Sequence, residues 1–240
     1  MKKKLIPLFL LFPLSFTWQG PLNSTSLLQT MYARYHGKWH TSLSFDQTTE
    51  KYRNDSLVKT QTWFENMVYP DLLRIDFDQP NSGNGVLFRN DSTYAFSNHQ
   101  LIRSVYKENE LIFFLGGLYF MPFDQVVTHF KSLKYDLNKF HTDTLKGRPV
   151  YVMGADKKGE QVNQLWIDQQ KLVAVYFARF DESGKLEGYF EDHIPLKNAW
   201  SETKCTFYLN NHLLQVETYR HVVAGGAVDK SRFAPWLFGK

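Results

Sequence analysis

His36 and His40 stand four residues apart, the spacing that places two imidazoles on one face of a helix. A zinc protease needs such a pair around a glutamate, as in H-E-x-x-H, and here the intervening residues are Gly37, Lys38 and Trp39. Glu191-Asp192-His193 sets carboxylates beside an imidazole near a strand end. No nucleophile adjoins it, so it reads as a solvated rim rather than as acid–base machinery. Cys205, the single cysteine, shares a strand face with Thr203 and Phe207, the setting of a buried, inert thiol. Neither a G-x-S-x-G elbow, nor a P-loop, nor G-x-G-x-x-G occurs in the chain. These patterns predict no catalytic residue, no metal ligand and no cofactor, and hence a protein that is not an enzyme.

The chemistry on offer is apolar. Leu111 to Phe123 (LIFFLGGLYFMPF) has ten apolar side chains, no charge, and a Gly116-Gly117 break. It is too short to cross a bilayer, which takes about 20 consecutive apolar residues. It must therefore be buried or covered by a ligand. Aromatic residues make up 16% of the chain, enough to line a cavity with rings as well as to fill a core. Burying each CH2 of a guest is worth about 0.8 kcal/mol, so a chain of roughly 16 carbons offers on the order of 12 kcal/mol before ordering costs. A lid hinged at Gly116 and Gly117 that fills the cavity between cargoes would keep such binding reversible.

Two β-rich blocks flank this stretch. Leu27, Leu28, Met31, Tyr32 and Tyr35 recur at helical spacing after Asn23, predicting a helix over 25–36 that Gly37 ends. Trp39 to Asp46 alternates as a half-buried strand, and Leu57 to Met67 returns after Asn54-Asp55-Ser56. Leu73, Ile75 and Phe77 alternate with Arg74, Asp76 and Asp78, the clearest inside–outside pattern in the chain. Short strands at 86–89, 93–97 and 100–106 follow, joined by Asn-rich turns. Pro122 opens a helix carrying Phe123, Val126, Val127, Phe130 and Leu133, after a loop. Strands at 135–141, 148–154, 162–168, 172–180, 185–193, 202–209 and 213–223 complete the pattern. About 11–13 strands in consecutive hairpins predict a mainly β fold with some α. The expected form is one strongly curved antiparallel sheet, an incomplete barrel, covered by an N-terminal helix and a central lid.

Met1-Lys2-Lys3-Lys4 followed by an apolar run to Leu14 and Ser15-Phe16-Thr17 reads as a secretory signal peptide over residues 1–17, leaving 18–240 as one domain. Its removal takes three lysines and no acids, lowering the net charge from +4 to +1. That near-neutral balance argues against a nucleic-acid partner. No cysteine follows the apolar run, so a lipid-anchored N-terminus is not expected, and a lone cysteine allows no internal disulfide.

Three stretches resemble the LolA-like superfamily of periplasmic lipoprotein carriers and outer-membrane lipoprotein-sorting proteins: Tyr69 to Phe77 with its x-Pro-x turn, Leu115 to Leu133, and Gly225 to Pro235 closing on Phe-x-Pro. The order of elements agrees over most of residues 22–236. The resemblance implies a half-barrel whose dry cavity holds the acyl chains of a lipoprotein or lipid under a helical lid. It further implies residence in the periplasm of a Gram-negative bacterium and exchange with an inner- or outer-membrane partner. The carriers have a basic residue just before the Pro that helps hold the lid closed; this chain has Tyr69 there, with Arg74 on the next strand. Residues expected to line the cavity are Leu43, Phe45, Leu73, Ile75, Phe77 and Phe88. The lid comprises Phe113, Phe114, Gly116, Gly117, Leu118, Phe120 and Phe123. A monomer is expected. An envelope sensor or interaction module on the same fold is the first alternative, and a lipid-directed hydrolase the second.

Overall fold

The computed structural model describes residues 20–238. The expected signal segment, residues 1–17, lies outside the described residues.

Helix α1 spans Ser24–Tyr35. Its first turn is closed reciprocally: the Asn23 side chain accepts from the Ser26 amide at 2.8 Å, and the Ser26 hydroxyl accepts from the Asn23 amide at 3.0 Å. Leu27, Leu28, Met31 and Tyr35 are buried on one stripe. Six strands follow: β1 (Ser42–Arg53), β2 (Ser56–Val68), β3 (Leu72–Phe77), β4 (Gly85–Arg89), β5 (Ser92–Ser97) and β6 (Gln100–Tyr106). The middle of the chain holds α2 (Glu110–Phe114), a 3-10 turn (Gly117–Phe120) and α3 (Phe123–Ser132). Nine more strands complete the order: β7 (Phe140–Leu145), β8 (Arg148–Met153), β9 (Gln164–Asp168), β10 (Ala174–Asp181), β11 (Gly184–Glu191), β12 (Ile194–Leu196), β13 (Ala199–Ser201), β14 (Lys204–Leu209) and β15 (His212–Ala224).

Tight turns explain why the strands stay sequential neighbours. Both central residues have positive φ at Asn54-Asp55, Asn90-Asp91, Asn98-His99 and Asn210-Asn211, the conformation whose twist matches paired antiparallel strands and which Asn and Asp tolerate best. Thirteen strands form one antiparallel sheet in the order β6-β5-β4-β3-β2-β1-β15-β14-β11-β10-β9-β8-β7. The first strand pairs with the last, Thr49 opposite Glu217, so both halves of the chain meet at the middle of the sheet. The sheet curves without closing, and β6 and β7 remain as its edges. Helices α1 and α3 and the segment between α2 and α3 pack into its concave face around one large core.

Several local expectations are corrected. The first strand begins at Ser42 rather than Trp39, because Trp39 stays bonded to the Tyr35 carbonyl and is buried under the lid. Tyr135 and Leu137 are drawn into the core, and strand β7 forms only from Phe140. The expected lid loop is mostly helical. A β12–β13 hairpin stands apart from the main sheet. The alternation in β3 does not separate core from water. Arg74 and Asp76 are 2% and 0% exposed, because Phe233 and Phe238 of the C-terminal segment cover the convex face over Leu87 and Phe96. Arg74 pairs with Asp76 at 2.8 Å, donates to the Arg232 carbonyl, and lies 4.4 Å from the Phe238 ring centroid. A buried charge is tolerable only with such partners.

Candidate functional site

The pleat sends alternate residues of β1, β2 and β3 into the hollow of the sheet. Leu43 and Phe45 come from β1, Trp63, Glu65 and Met67 from β2, and Leu73 and Ile75 from β3. With Phe88, Phe190, Cys205, Phe207 and Tyr219 they line an inner cavity of about 170 Å³. Leu111, Ile112 and Leu115 roof it. Five of the six expected lining residues therefore meet in one place. Phe77 does not: it lies further along β3 and packs on Trp63, with ring centroids 5.1 Å apart.

The lid aromatics are not the roof. Phe113 and Phe114 point away to pack on Phe130, at 4.9 and 5.9 Å between centroids, and Phe114 also meets Tyr135. Phe120 stacks on Tyr69, Phe123 meets Tyr32 edge-on, and Leu118 is fully buried. Aliphatic side chains face the cavity while the rings anchor the lid around it. Gly116 and Gly117 are sites of close approach. A Cβ at Gly116 would lie 2.3 Å from the Trp39 Nε1 and 2.9 Å from the Tyr69 ring, with φ at +146°. One at Gly117 would meet the Pro70 and Ile112 carbonyl oxygens at 2.8 and 2.9 Å.

Two latches hold the roof. Tyr69, in the place where the resembling carriers have a basic residue, donates its hydroxyl to the Leu115 carbonyl at 3.0 Å. At the other end, Arg179 of β10 donates to the Glu110 carboxylate at the start of α2. This ion pair spans a wider cleft of about 430 Å³ lined by Phe88, Lys107, Leu111, Phe177, Leu186 and Leu214, among others. Inner cavity and cleft share Phe88, Asn109, Leu111, Phe207 and Glu217 in their walls. The cleft adjoins the cavity across these shared side chains. Small-molecule sites occupy about 300–1,000 Å³, so the inner cavity by itself is undersized and becomes adequate only with the adjoining cleft or with the roof displaced.

The site also contains acids that the in–out alternation of the strands does not point to. Glu65, Glu202 and Glu217 are each more than nine-tenths buried in the cavity wall. Desolvation raises all three carboxyls above the ordinary range, and Glu202 reaches about 8. Glu65 shares the phase of Trp63 and Met67 on β2, and a carboxylate in an apolar phase was the signal available in the sequence. Cys205 is a buried free thiol 3.2 Å from the Tyr219 hydroxyl, and burial pushes it up, away from reactivity. His36 lies 2.8 Å from the Tyr119 carbonyl. His40 is buried between Trp39 and Tyr69 with no hydrogen-bond partner among the described residues, and burial lowers it to about 4. Glu191 pairs with Lys146, separate from His193, so the 191–193 run does not assemble as an acid–base unit. Among the described residues no group of three or more His, Cys, Asp or Glu could hold a metal ion.

The chain is an open antiparallel half-barrel with a helical lid over a mostly apolar cavity. Solved structures share its fold. A putative outer membrane lipoprotein-sorting protein domain from Vibrio parahaemolyticus superposes with a TM-score of 0.59 at 12% identity, covering 90% of this chain and 98% of that one. A LolA superfamily protein from Nitrosomonas europaea gives 0.54 at 11% identity, covering 89% and 98%. A DUF1329 family protein from Desulfovibrio piger gives 0.60 at 12% identity, covering 88% and 95%. No protein-family model matches the sequence, and no curated protein matches it. The chain has a LolA-like fold.

Proposed function

We propose that this protein is a periplasmic carrier that binds acylated ligands, a lipoprotein or a lipid, in the cavity between its curved sheet and its lid. The observation that carries this reading is the cavity itself: a mostly apolar hollow roofed by Leu111, Ile112 and Leu115 and sharing wall residues with a wider cleft beside it. The roof is pinned at its ends by one neutral hydrogen bond and one ion pair, and its rings pack on Phe130 and Tyr69. A guest that displaces it must offset that packing, and burying an acyl chain of roughly 16 carbons, on the order of 12 kcal/mol before ordering costs, is the contribution that would do so. One neighbour of the same fold is named a putative outer membrane lipoprotein-sorting protein domain, which agrees with a non-enzymatic role. Export by the residue 1–17 segment and transfer to a membrane partner complete the proposal.

Titration with a fluorescent fatty-acyl probe tests it. Saturable, one-to-one binding is expected, and filling the hollow with Leu73→Trp should weaken it. Absence of saturable binding to the wild-type protein would overturn the proposal.

A further inference from the structure

Three hairpins repeat one short pattern. Asn54-Asp55-Ser56-Leu57-Val58 carries β1 into β2, Asn98-His99-Gln100-Leu101-Ile102 carries β5 into β6, and Asn210-Asn211-His212-Leu213-Leu214 carries β14 into β15. In each, a polar turn leads straight into two large aliphatic side chains, and the second of them is left out of the ladder. Tyr52 pairs with Leu57 and Lys51 with Lys59, so Val58 is skipped. Phe96 pairs with Leu101 and Ala95 with Arg103, skipping Ile102. Tyr208 pairs with Leu213 and Phe207 with Gln215, skipping Leu214. Each skipped residue is a β-bulge. The core does not claim these side chains: Leu57, Val58, Ile102 and Leu214 are 52%, 55%, 65% and 41% exposed. Residues next to turns are ordinarily polar, and exposed aliphatics gathered in one region mark an interaction site.

Topology sets all three turns at one end of the sheet. Neighbours are antiparallel through β6-β5-β4-β3-β2-β1-β15-β14, so β1, β5 and β14 run toward the same end and turn there. Two of the tips are tied: Asp55 accepts from the Leu213 amide at 2.7 Å and pairs with His212 at 2.9 Å. Leu214 also lines the cleft of about 430 Å³, so these tips stand beside it. Cations accompany the doublets. Lys51 and Lys59 face each other across β1 and β2, with Arg53 at the tip. Like charges opposite one another in a sheet are destabilising, and an outside anion relieves them. The acids at hand are engaged, Asp55 by β15 and Glu50 by the Tyr52 hydroxyl. Among the described residues Arg53 and Lys59 form no ion pair. Aliphatic side chains beside free cations suit a shallow contact with anionic lipid, the chains entering the acyl boundary while the charges stay among phosphates. At roughly 4.8 Å per strand, the tied tips lie about 10 Å apart and the β5–β6 tip about 19 Å from β1–β2. A protein partner of standard size covers about 800 Å² of continuous surface, whereas a fluid bilayer accepts separate tips.

We propose that this end of the sheet, led by the tied tips of β1–β2 and β14–β15, is a docking surface for an anionic lipid bilayer and brings the cleft against the membrane. This deepens the carrier reading, on which it rests for its purpose, by naming the face through which a guest is exchanged.

Flotation of the exported protein with vesicles of phosphatidylcholine, with and without phosphatidylglycerol, tests it. Binding to the anionic vesicles should be at least about tenfold tighter than to the neutral ones and should weaken as salt is raised. The double variant Leu57→Ser, Val58→Ser and the single variant Lys59→Glu should each weaken it at least about fivefold. Trp236→Ser, which removes a ring 70% exposed on the C-terminal segment, should leave it unchanged. The wild-type preference for anionic vesicles decides the matter if a variant fails to fold. Flotation with neither vesicle, or tip variants that bind as the wild type does, would overturn the docking surface. Flotation only with native-membrane vesicles, abolished by treating those vesicles with protease, would assign the tips to a protein partner and overturn it too. Titration with the acyl probe separates the two readings: a protein that takes the probe but no vesicle loses the docking surface alone, and one that docks but takes no probe loses the carrier reading alone.

Discussion

Replacing Glu202 by glutamine should make the protein more stable at alkaline pH and leave it nearly unchanged in acid. Desolvation is the dominant cause of its raised proton affinity, and the neighbouring Glu217 adds to it. The folded protein keeps this carboxyl protonated up to about 8, whereas the unfolded chain releases the proton near 4.5. Between those values the unfolded state binds fewer protons, so stability falls as pH rises. The contribution is fully present below the unfolded value and lost through the folded one. Each pH unit within the window is worth up to about 1.4 kcal/mol, so the span sets a ceiling of roughly 5 kcal/mol; relaxation around the site makes roughly 2–4 kcal/mol the working figure. Glutamine keeps the shape and removes the titration. Urea unfolding followed by tryptophan fluorescence, run from about pH 5 to about pH 8, gives the difference between the two proteins directly. Contributions from His40, His193, Glu65, Glu217, Lys51, Cys205, Tyr69 and Tyr219 enter both curves and largely cancel. The variant should match the wild type near the acid end and exceed it by those kilocalories at the alkaline end. Parallel curves would refute the reasoning that burial holds the proton on Glu202.

Gly116→Ala forces a Cβ to within 2.3 Å of the Trp39 indole at a positive φ, and should cost about 2–3 kcal/mol, visible as a lower melting temperature. Tyr69→Phe removes the hydroxyl that holds the Leu115 carbonyl; amide exchange at residues 111–116 should rise severalfold, corresponding to about 1 kcal/mol, with the sheet unaffected. His40 titrates near 4 in the folded protein and near 6.5 when unfolded, so stability contributed above 6.5 is lost as pH falls. His40→Leu should accordingly gain about 2 kcal/mol near pH 5 in the same denaturation assay, with little gain above pH 7.

Much of the architecture was legible because local chemistry dictated it. Asn-Asp and Asn-Asn pairs specify hairpin turns, and hairpins in series specify a single antiparallel sheet. The inward phase of β1 and β3 was equally plain, which is why Leu43, Phe45, Leu73 and Ile75 meet in one wall. What the sequence hid depends on contacts between distant segments. The C-terminal Phe233 and Phe238 cover Arg74 and Asp76, turning a polar face into a buried one without any local sign. The rings of the lid anchor to α3 and β10 rather than facing the hollow, because Phe130 and Phe177 are placed only once the sheet has curved. The convergence of Glu65, Glu202 and Glu217 is likewise a product of the β2-β1-β15-β14 order, in which first and last strands pair.

The carrier account stands or falls on whether a hydrocarbon guest accompanies the protein from the cell. Native mass spectrometry of the exported protein, repeated after organic extraction, measures this directly. The account predicts a bound mass in the range of a lipid or acylated peptide, removed by extraction and restored on incubation with the extract. A single ligand-free species before extraction that takes up nothing from the extract would contradict it.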